Sequence, residues 1–212
     1  MNEVAEGIWH WTAFHDNIKQ QVHSHWVPGA RTVIDPKLPV DGELDPERIV
    51  LSNRHHLRDA LELRVEPILA PRAGLHEFER DGPDVTPYSP GDEVAPGITA
   101  HEMGAIAPDD TVLHLAYGAG ALLFADAIIR WEGDIAFVPD FLMDEPEKVK
   151  AETADRLRDL LGLDFDHLLF AHGEPLVGGG RRALEEFITW PARSAGRRRG
   201  RGPCSPRARA GG

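Results

Sequence analysis

Apolar residues along the chain fall mostly in short runs that glycine, proline and aspartate interrupt. Short runs rich in β-branched, aromatic and other apolar residues are typical of strands, and the residues between them are typical of turns. Tyr117-Gly118-Ala119-Gly120, for example, joins two such runs as a hairpin would. We predict loop or short irregular strands at residues 80–98, and regular strands at residues 7–14, 20–27, 31–34, 49–51, 67–70, 111–116, 121–125 and 167–171.

Helical spacing of apolar residues follows the strand runs. The segment from Asp144 to Gly162 opens with acidic residues and Pro146, carries an apolar stripe and ends at glycine, which predicts a long helix. Residues 181–188 predict a closing helix, and residues 57–61 and 72–78 predict short ones. Each half of the chain thus has strands first and a helix afterwards.

Charge is distributed unevenly along the 212 residues. Residues 193–212 hold seven arginines and no acidic residue, so the formal net charge of −12 for the whole chain corresponds to −19 for residues 1–192. We expect one domain over residues 1–192, followed by a basic, disordered tail over residues 193–212. The acidic body argues against nucleic acid as a partner, and only the tail would attract it.

Composition also bears on where the protein acts. Cys204 is the one cysteine, so the chain cannot form an internal disulfide. No run reaches the roughly 18 apolar residues that a membrane helix needs, and the first residues include Glu3 and Glu6 instead of the apolar core of a signal peptide. We therefore expect a cytoplasmic protein that has no contact with membranes.

Three apolar runs end on side chains that can bind a metal. The run at residues 49–51 leads to His55, another leads to Asp126, and a third leads to His172. Such groups are costly to bury at a strand end unless a cation compensates them. Imidazole and carboxylate together suit zinc, and also iron or manganese.

Other assignments are open at the same positions. His101, in a predicted loop, is a fourth candidate ligand. His56 is an alternative to His55, and Asp59 offers a carboxylate nearby. Each histidine taken alone is as well explained by a hydrogen-bonding role, and Asp126 by a turn or helix cap.

The order of these residues resembles the metallo-β-lactamase-fold superfamily. Residues 21–26 resemble its early strand, and Val33-Ile34-Asp35-Pro36 resembles its strand that ends in aspartate. Residues 52–58 correspond to its hallmark loop, Ser/Thr-His-x-His-x-Asp-His. The later ligand positions of the superfamily correspond to His101, Asp126 and His172.

This resemblance covers residues 7 to about 190 and implies a particular architecture. The expected fold is of the α/β class, a four-layer αββα sandwich with mixed sheets inside and helices on the outer faces. Carried over position by position, the first metal site would consist of His55 and His101, with Asn53 in place of a histidine. Asp126 would bridge to a second metal.

The second metal site is the more altered one. It would keep His172, but Leu57 and Arg58 stand where the superfamily has aspartate and histidine. The guanidinium of Arg58 keeps its positive charge and so disfavours a second cation beside it. We therefore expect at most one metal ion, zinc in the first instance.

Two functions are compatible with these residues. In the first, a hydrolase uses one metal to activate water against an ester, thioester, lactone or phosphoester, with Asp126 at the metal, and with Arg58 and His172 orienting a small, anionic substrate. In the second, the protein keeps the scaffold without the metal and binds a small ligand or is purely structural. The replaced ligands motivate the second function, and the retained ones motivate the first.

Overall fold

Seven strands from the first 88 residues form one sheet in the computed structural model, which describes residues 1–79 and 82–189. The strands follow one another in chain order across the sheet. The first four pair antiparallel and the remaining ones pair parallel. They are β1 (Asn2–Ala5), β2 (Ile8–His15), β3 (Gln20–Val27), β4 (Thr32–Ile34), β5 (Arg48–Val50), β6 (Ile68–Pro71) and β7 (Thr86–Tyr88).

A second sheet has five strands in the order β14-β11-β10-β9-β8. Its pairs are antiparallel except for β11 and β14, which run parallel and in register from Ala121 opposite His167 to Phe124 opposite Phe170. A two-stranded ribbon of β12 and β13 follows β11 in the chain. The strands are β8 (Glu93–Ala95), β9 (Ile98–Glu102), β10 (Thr111–Leu115), β11 (Ala121–Phe124), β12 (Ile129–Trp131), β13 (Asp134–Ala136) and β14 (His167–Phe170).

The two sheets pack face to face, because alternate residues of their strands share one buried cluster. The first sheet contributes Ile8, Val27 and Val50, and the second contributes Leu113 and Leu123. Intervening residues of the second sheet point the opposite way into another cluster, which is why its central strands read as continuous apolar runs.

Two α-helices cover the outer face of the second sheet. They are α1 (Pro146–Leu160) and α2 (Gly180–Thr189). Proline in the first turn and Glu147 beside it favour the start of α1. Leu157 and Leu184 insert from the two helices into the cluster that also holds Phe124. This packing fixes the strands whose ends carry Asp126 and His172.

The outer face of the first sheet is covered by 3₁₀ turns, at Arg54–Leu57, Ala60–Leu63 and Arg72–Glu77. The sequence predicts α-helices at residues 57–61 and 72–78, and the structure differs. Arg58 and Arg64 have positive φ angles of 42° and 54°, which end the helical path after the first two of these turns. The fourth layer of the sandwich therefore consists of short turns.

Strand prediction is weakest between residues 80 and 102. The proline-rich segment contributes β7 and β8, and it leads into β9, which carries His101 in a strand and not in the predicted loop. No helix in residues 1–79 and 82–189 is long and apolar enough to span a membrane. The predicted basic tail, together with Cys204, lies outside the described residues.

Candidate metal centre

Three strands direct metal-binding side chains to one edge of the sandwich. His56 lies beyond β5, Asp126 two residues after β11, and His172 two residues after β14. Because β11 and β14 are adjacent and parallel, their carboxyl ends bring Asp126 and His172 together. One ligand atom from each of the three side chains lies within 4.8 Å of the other two. We call these three residues the first cluster.

The carboxylate of Asp126 is the centre of this cluster. Its Oδ1 atom lies 3.3 Å from Nε2 of His172 and 3.5 Å from Nε2 of His56. The imidazole rings of the two histidines are 5.7 Å apart, centroid to centroid. His56 is buried, whereas Asp126 and His172 are partly exposed, so solvent and small molecules can reach the cluster from their side.

The imidazole of His56 is held by a second carboxylate. Nδ1 of His56 lies 2.9 Å from Oδ2 of Asp35, which is buried at the end of β4. Asp35 also accepts hydrogen bonds from the backbone N–H of Ser52, at 2.8 Å, and from its hydroxyl, at 2.5 Å. Because Nδ1 donates to Asp35, the Nε2 atom of His56 is the one presented to Asp126.

Charge in this network is strongly coupled. Burial alone would lower the pKa of His56, but the carboxylates of Asp35 and Asp126 raise it to about 9. Burial would raise the pKa of Asp126, but His56 and His172 hold it well below its ordinary value. Without a metal, the cluster is therefore a buried imidazolium beside two carboxylates, and a bound cation would replace the His56 proton.

Asn53 orients the same carboxylate from the other side. Its side-chain nitrogen donates to Oδ2 of Asp126 at 2.6 Å. Its side-chain oxygen accepts from the backbone N–H of His55 at 2.9 Å and so caps the 3₁₀ turn that begins at Arg54. Asn53 thus turns its nitrogen, which is no metal ligand, towards the cluster and leaves Oδ1 of Asp126 free to face the histidines.

Asp110, which the sequence pattern did not single out, adjoins the cluster. Its Oδ1 atom accepts the backbone N–H of Asp126 at 2.9 Å. Its Oδ2 atom is buried and has no hydrogen-bond partner among the described residues. Burial, followed by the negative charge of Asp126, raises the pKa of Asp110 well above its ordinary value. The clue in the sequence is the acidic pair Asp109-Asp110 directly before an apolar strand.

These donors fit a divalent metal ion. Two neutral imidazole nitrogens and one carboxylate oxygen are a common protein ligand set for catalytic zinc, and iron and manganese accept the same atoms. An unpartnered buried carboxylate oxygen on Asp110 is costly, and a nearby cation would offset that cost. The hydrogen bond from His56 to Asp35 is the second interaction that metal-binding histidines usually make.

Comparison with solved structures of other proteins establishes the fold. A metallo-beta-lactamase family protein from Thermus thermophilus aligns over 86% of this chain and 78% of its own, with a TM-score of 0.62 and 16% identity. The chain has the metallo-β-lactamase fold. An archaeal superfamily protein from Sulfolobus tokodaii aligns over 98% of this chain and 92% of its own, with a TM-score of 0.61 and 13% identity.

A third example is the DIM-1 metallo-beta-lactamase, for which the TM-score is 0.63 at 11% identity, over 89% of this chain and 95% of that one. No protein-family model and no curated protein sequence matches the chain. The metallo-β-lactamase fold confirms the expected sandwich of mixed sheets and the resemblance from which it was predicted.

Within the metallo-β-lactamase fold, the structure brings together only part of the predicted site. Asp126, His172 and Asn53 meet at the sheet edge, as described above. His55 does not join them, because its side chain is exposed and the next residue, His56, occupies the buried position. Asn53 caps the 3₁₀ turn, and this turn points His55 outward and His56 inward.

His101 is also absent from the cluster. It lies on β9 opposite Val112, on the face of the second sheet that turns away from the first. Its ring is 6.2 Å from that of His114, and its Nε2 atom has no hydrogen-bond partner among the described residues. The segment before β10 instead supplies Asp110 to the site.

Arg58 contributes to the backbone framework of the site. Its guanidinium donates to the carbonyls of His23 and Asp35, each at 2.9 Å, and lies 3.5 Å from that of Ala171. These contacts link the middle of β3 to the residues that directly follow β4 and β14, and all the hydrogen bonds of the guanidinium named here go to backbone carbonyls. Asp59, the other alternative, pairs with Lys37 at 2.6 Å.

Proposed function

We propose that this protein is a hydrolase of the metallo-β-lactamase fold that uses one divalent metal ion. His56, Asp126 and His172 would hold the ion, with the buried carboxyl group of Asp110 beside Asp126. The observation that carries the proposal is the convergence of two Nε2 atoms on Oδ1 of Asp126, with the His56 ring fixed by Asp35. Zinc is the first choice, and iron or manganese would fit the same donors.

When bound, the ion supplies a Lewis acid that lowers the pKa of water towards neutrality. The residues of the chain then have separate tasks. Asp35 keeps the Nδ1 proton of His56 in place, so that Nε2 is the free donor. The hydrogen bond from Asn53 fixes the orientation of the Asp126 carboxylate. Asp110, whose pKa is raised by burial, lies beside Asp126 and would be the candidate proton carrier.

The substrate would be a small molecule with an ester, thioester, lactone or phosphoester bond. A cleft of about 300 Å³ opens beside Asp110, with Arg72, Ser89 and Glu102 in its wall, and it meets the first cluster only through Asp110. Glu102 is paired with Arg156, so we propose the exposed Arg72, in place of Arg58, as the residue that would orient an anionic group on the substrate. With only Cys204 as a thiol, we propose the cytoplasm as the site of action.

A metal-free role is the second candidate. His56 as a cation already balances Asp35 and Asp126 by direct ion pairs, so the cluster is satisfied by a proton alone. In that case the protein would bind a small ligand, or serve only as a scaffold, through the same sheet edge.

Hydrolysis with and without metal separates the two candidates. We would strip the full chain with a chelator, reload it with zinc, iron or manganese, and measure turnover of a nitrophenyl ester, an acyl thioester, a lactone and a phosphodiester. We expect turnover of at least one substrate to require metal and to fall about 100-fold or more in His56→Ala, whereas His55→Ala stays near the parent. Turnover of none of them by the loaded protein, or turnover indifferent to metal, would favour the second candidate.

A further inference from the structure

Three histidines lie on the inner face of the strand pair β2–β3. In the antiparallel register, His10 is directly opposite His25, and Thr12 is opposite His23. His23 and His25 are two residues apart, so they share the face that carries Val27 into the core between the sheets. Imidazoles therefore continue the face on which Ile8 and Val27 enter the core.

The rings form a compact group. Nε2 of His10 and Nδ1 of His23 share a hydrogen bond of 2.7 Å, which a bound ion would replace, and their rings stack with centroids 5.0 Å apart. The ring of His25 is 5.3 Å from that of His10. His25 is fully buried, and neither of its ring nitrogens has a hydrogen-bond partner among the described residues. Burying the His25 imidazole without a partner is costly for the fold unless it serves another purpose.

A carboxylate reaches the same group from the second sheet. Glu174 lies in the loop that follows β14, two residues after His172. One ligand atom each of Glu174, His10 and His23 lies within 4.8 Å of the other two. Glu174 is exposed, so it provides the group with a route from solvent. This is a grouping separate from the first cluster, with which it shares no side chain.

We propose that His10, His23 and Glu174 form a second metal site, which binds a divalent transition metal such as zinc, nickel or copper. Two imidazoles and one carboxylate are the donor set that these borderline metals prefer, and His25 adds an unused imidazole on the buried side. The ion would clamp the β2–β3 pair to the loop that carries His172. This site shares no side chain with the hydrolytic centre proposed above, although the two adjoin through the loop that carries His172 and Glu174.

Zinc titration of the full chain tests the proposal. After chelator treatment, we expect two binding events by calorimetry in the parent protein. Glu174→Gln should weaken one event about tenfold or more, and His23→Gln should abolish the same event. Glu185→Gln, another exposed glutamate, and His76→Gln, a histidine outside both groups, are the matched controls and should leave both events unchanged.

The outcomes distinguish this site from the first cluster. His56→Ala should remove the other event and leave the one that depends on Glu174. Binding that neither Glu174→Gln nor His23→Gln alters would overturn the proposal, whether the parent shows one event or two, whereas a single event that both variants weaken would support it. Glu174 is exposed, so its variant keeps the test decisive even if His23→Gln does not fold.

Discussion

At the scale of single residues, Asp35 shows how a side chain outside the first cluster controls it. It is buried, has a positive φ of 49°, and accepts hydrogen bonds from both Ser52 and His56. His56 holds the pKa of Asp35 below its ordinary value despite the opposing effect of burial. The orientation of the His56 ring therefore depends on an ionised Asp35.

Replacing this carboxylate by an amide should weaken metal binding. We expect Asp35→Asn to lower zinc affinity about 10- to 100-fold, because the amide neither fixes the His56 tautomer nor balances its charge. Competition with a coloured chelator measures the affinity. Asp45→Asn, at an exposed ion pair with Arg31, is the control and should bind as the parent does. Equal affinity in Asp35→Asn and the control would show that Asp35 does not position His56.

Asp126 and His172 could be placed at the right edge of the fold from sequence, because each directly follows a strongly apolar strand. His55 and His56 could not be told apart, since adjacent histidines differ only in how the 3₁₀ turn rotates them. Asp110 was not predicted as a site residue because an acidic residue before a strand is ordinarily a solvated turn residue. Only the structure shows that its side chain is buried beside Asp126.

At the scale of elements, the loop after β14 depends on Gly173. This glycine has a φ of +118°, and a Cβ atom there would lie 2.2 Å from the carbonyl oxygen of Arg130. Any larger residue must therefore move the backbone that positions His172. Gly133 has a comparable φ of +92° but open space around it. A substitution at Gly133 therefore introduces backbone strain without a steric clash.

This contrast gives a paired prediction. Gly173→Ala should lower zinc affinity of the first cluster about tenfold or more, because His172 is displaced. Gly133→Ala should cost about 1–2 kcal/mol of stability through strain alone and leave zinc affinity unchanged. Calorimetric titration and urea unfolding of both variants check the two effects. Unaltered affinity in Gly173→Ala would mean that this loop does not set the position of His172.

Helix α1 supports the second sheet through buried leucine. Leu157 is fully buried, whereas Leu61, on a 3₁₀ turn, is 53% exposed. We expect Leu157→Ala to reduce the free energy of unfolding by about 2–5 kcal/mol and Leu61→Ala by at most about 0.5 kcal/mol. Urea denaturation compares them. Similar losses in the two variants would contradict the packing of α1 against the sheet.

The long elements were predictable because their patterns are unambiguous. Strand β3 has the predicted bounds, and α1 and α2 follow their apolar stripes closely. The type of helix near residues 57–61 and 72–78 was not predictable, because α- and 3₁₀-helices have similar apolar spacing over one turn. Strand β9 was missed because the preceding prolines obscured where the chain resumes pairing.

At the scale of the whole molecule, buried histidines link stability to pH. Burial lowers the pKa of His10 to about 4 and that of His23 to about 3, and it lowers that of His25 well below 6.5. In the unfolded chain each of these three histidines has a pKa of about 6.5. The unfolded state therefore binds more protons below that pH, and the contribution of these histidines to stability must fall as the pH falls from about 6.5.

The metal-free protein should show this acid sensitivity directly. We expect its free energy of unfolding to decrease between about pH 6 and pH 4.5, as measured by urea titrations at about half-unit steps. His25→Leu removes one buried imidazole, so its slope should be shallower by about 1.4 kcal/mol per pH unit. The His76→Gln variant, at a histidine outside this group, should keep the parent slope. A His25→Leu slope equal to that of the parent would show that His25 titrates normally in the folded state.

The overall architecture could be anticipated from sequence because the order of the apolar runs and of the residues that end them resembles the metallo-β-lactamase-fold superfamily, and solved structures at 11–16% identity share this fold. The group formed by His10, His23 and His25 could not be predicted from sequence, because these residues meet only through the β2–β3 register and the packing of the sheets. Alternation along a strand does not distinguish a buried imidazole from an exposed one.

Metal content of the purified full chain tests the central claim most directly. Elemental analysis of the parent, His56→Ala and His55→Ala proteins, each prepared in the same way, compares the adjacent histidines. The account predicts that His56→Ala loses about one equivalent of zinc, iron or manganese relative to the parent, and that His55→Ala loses none. Loss of metal in His55→Ala with retention in His56→Ala, or equal content in all three proteins, would contradict it.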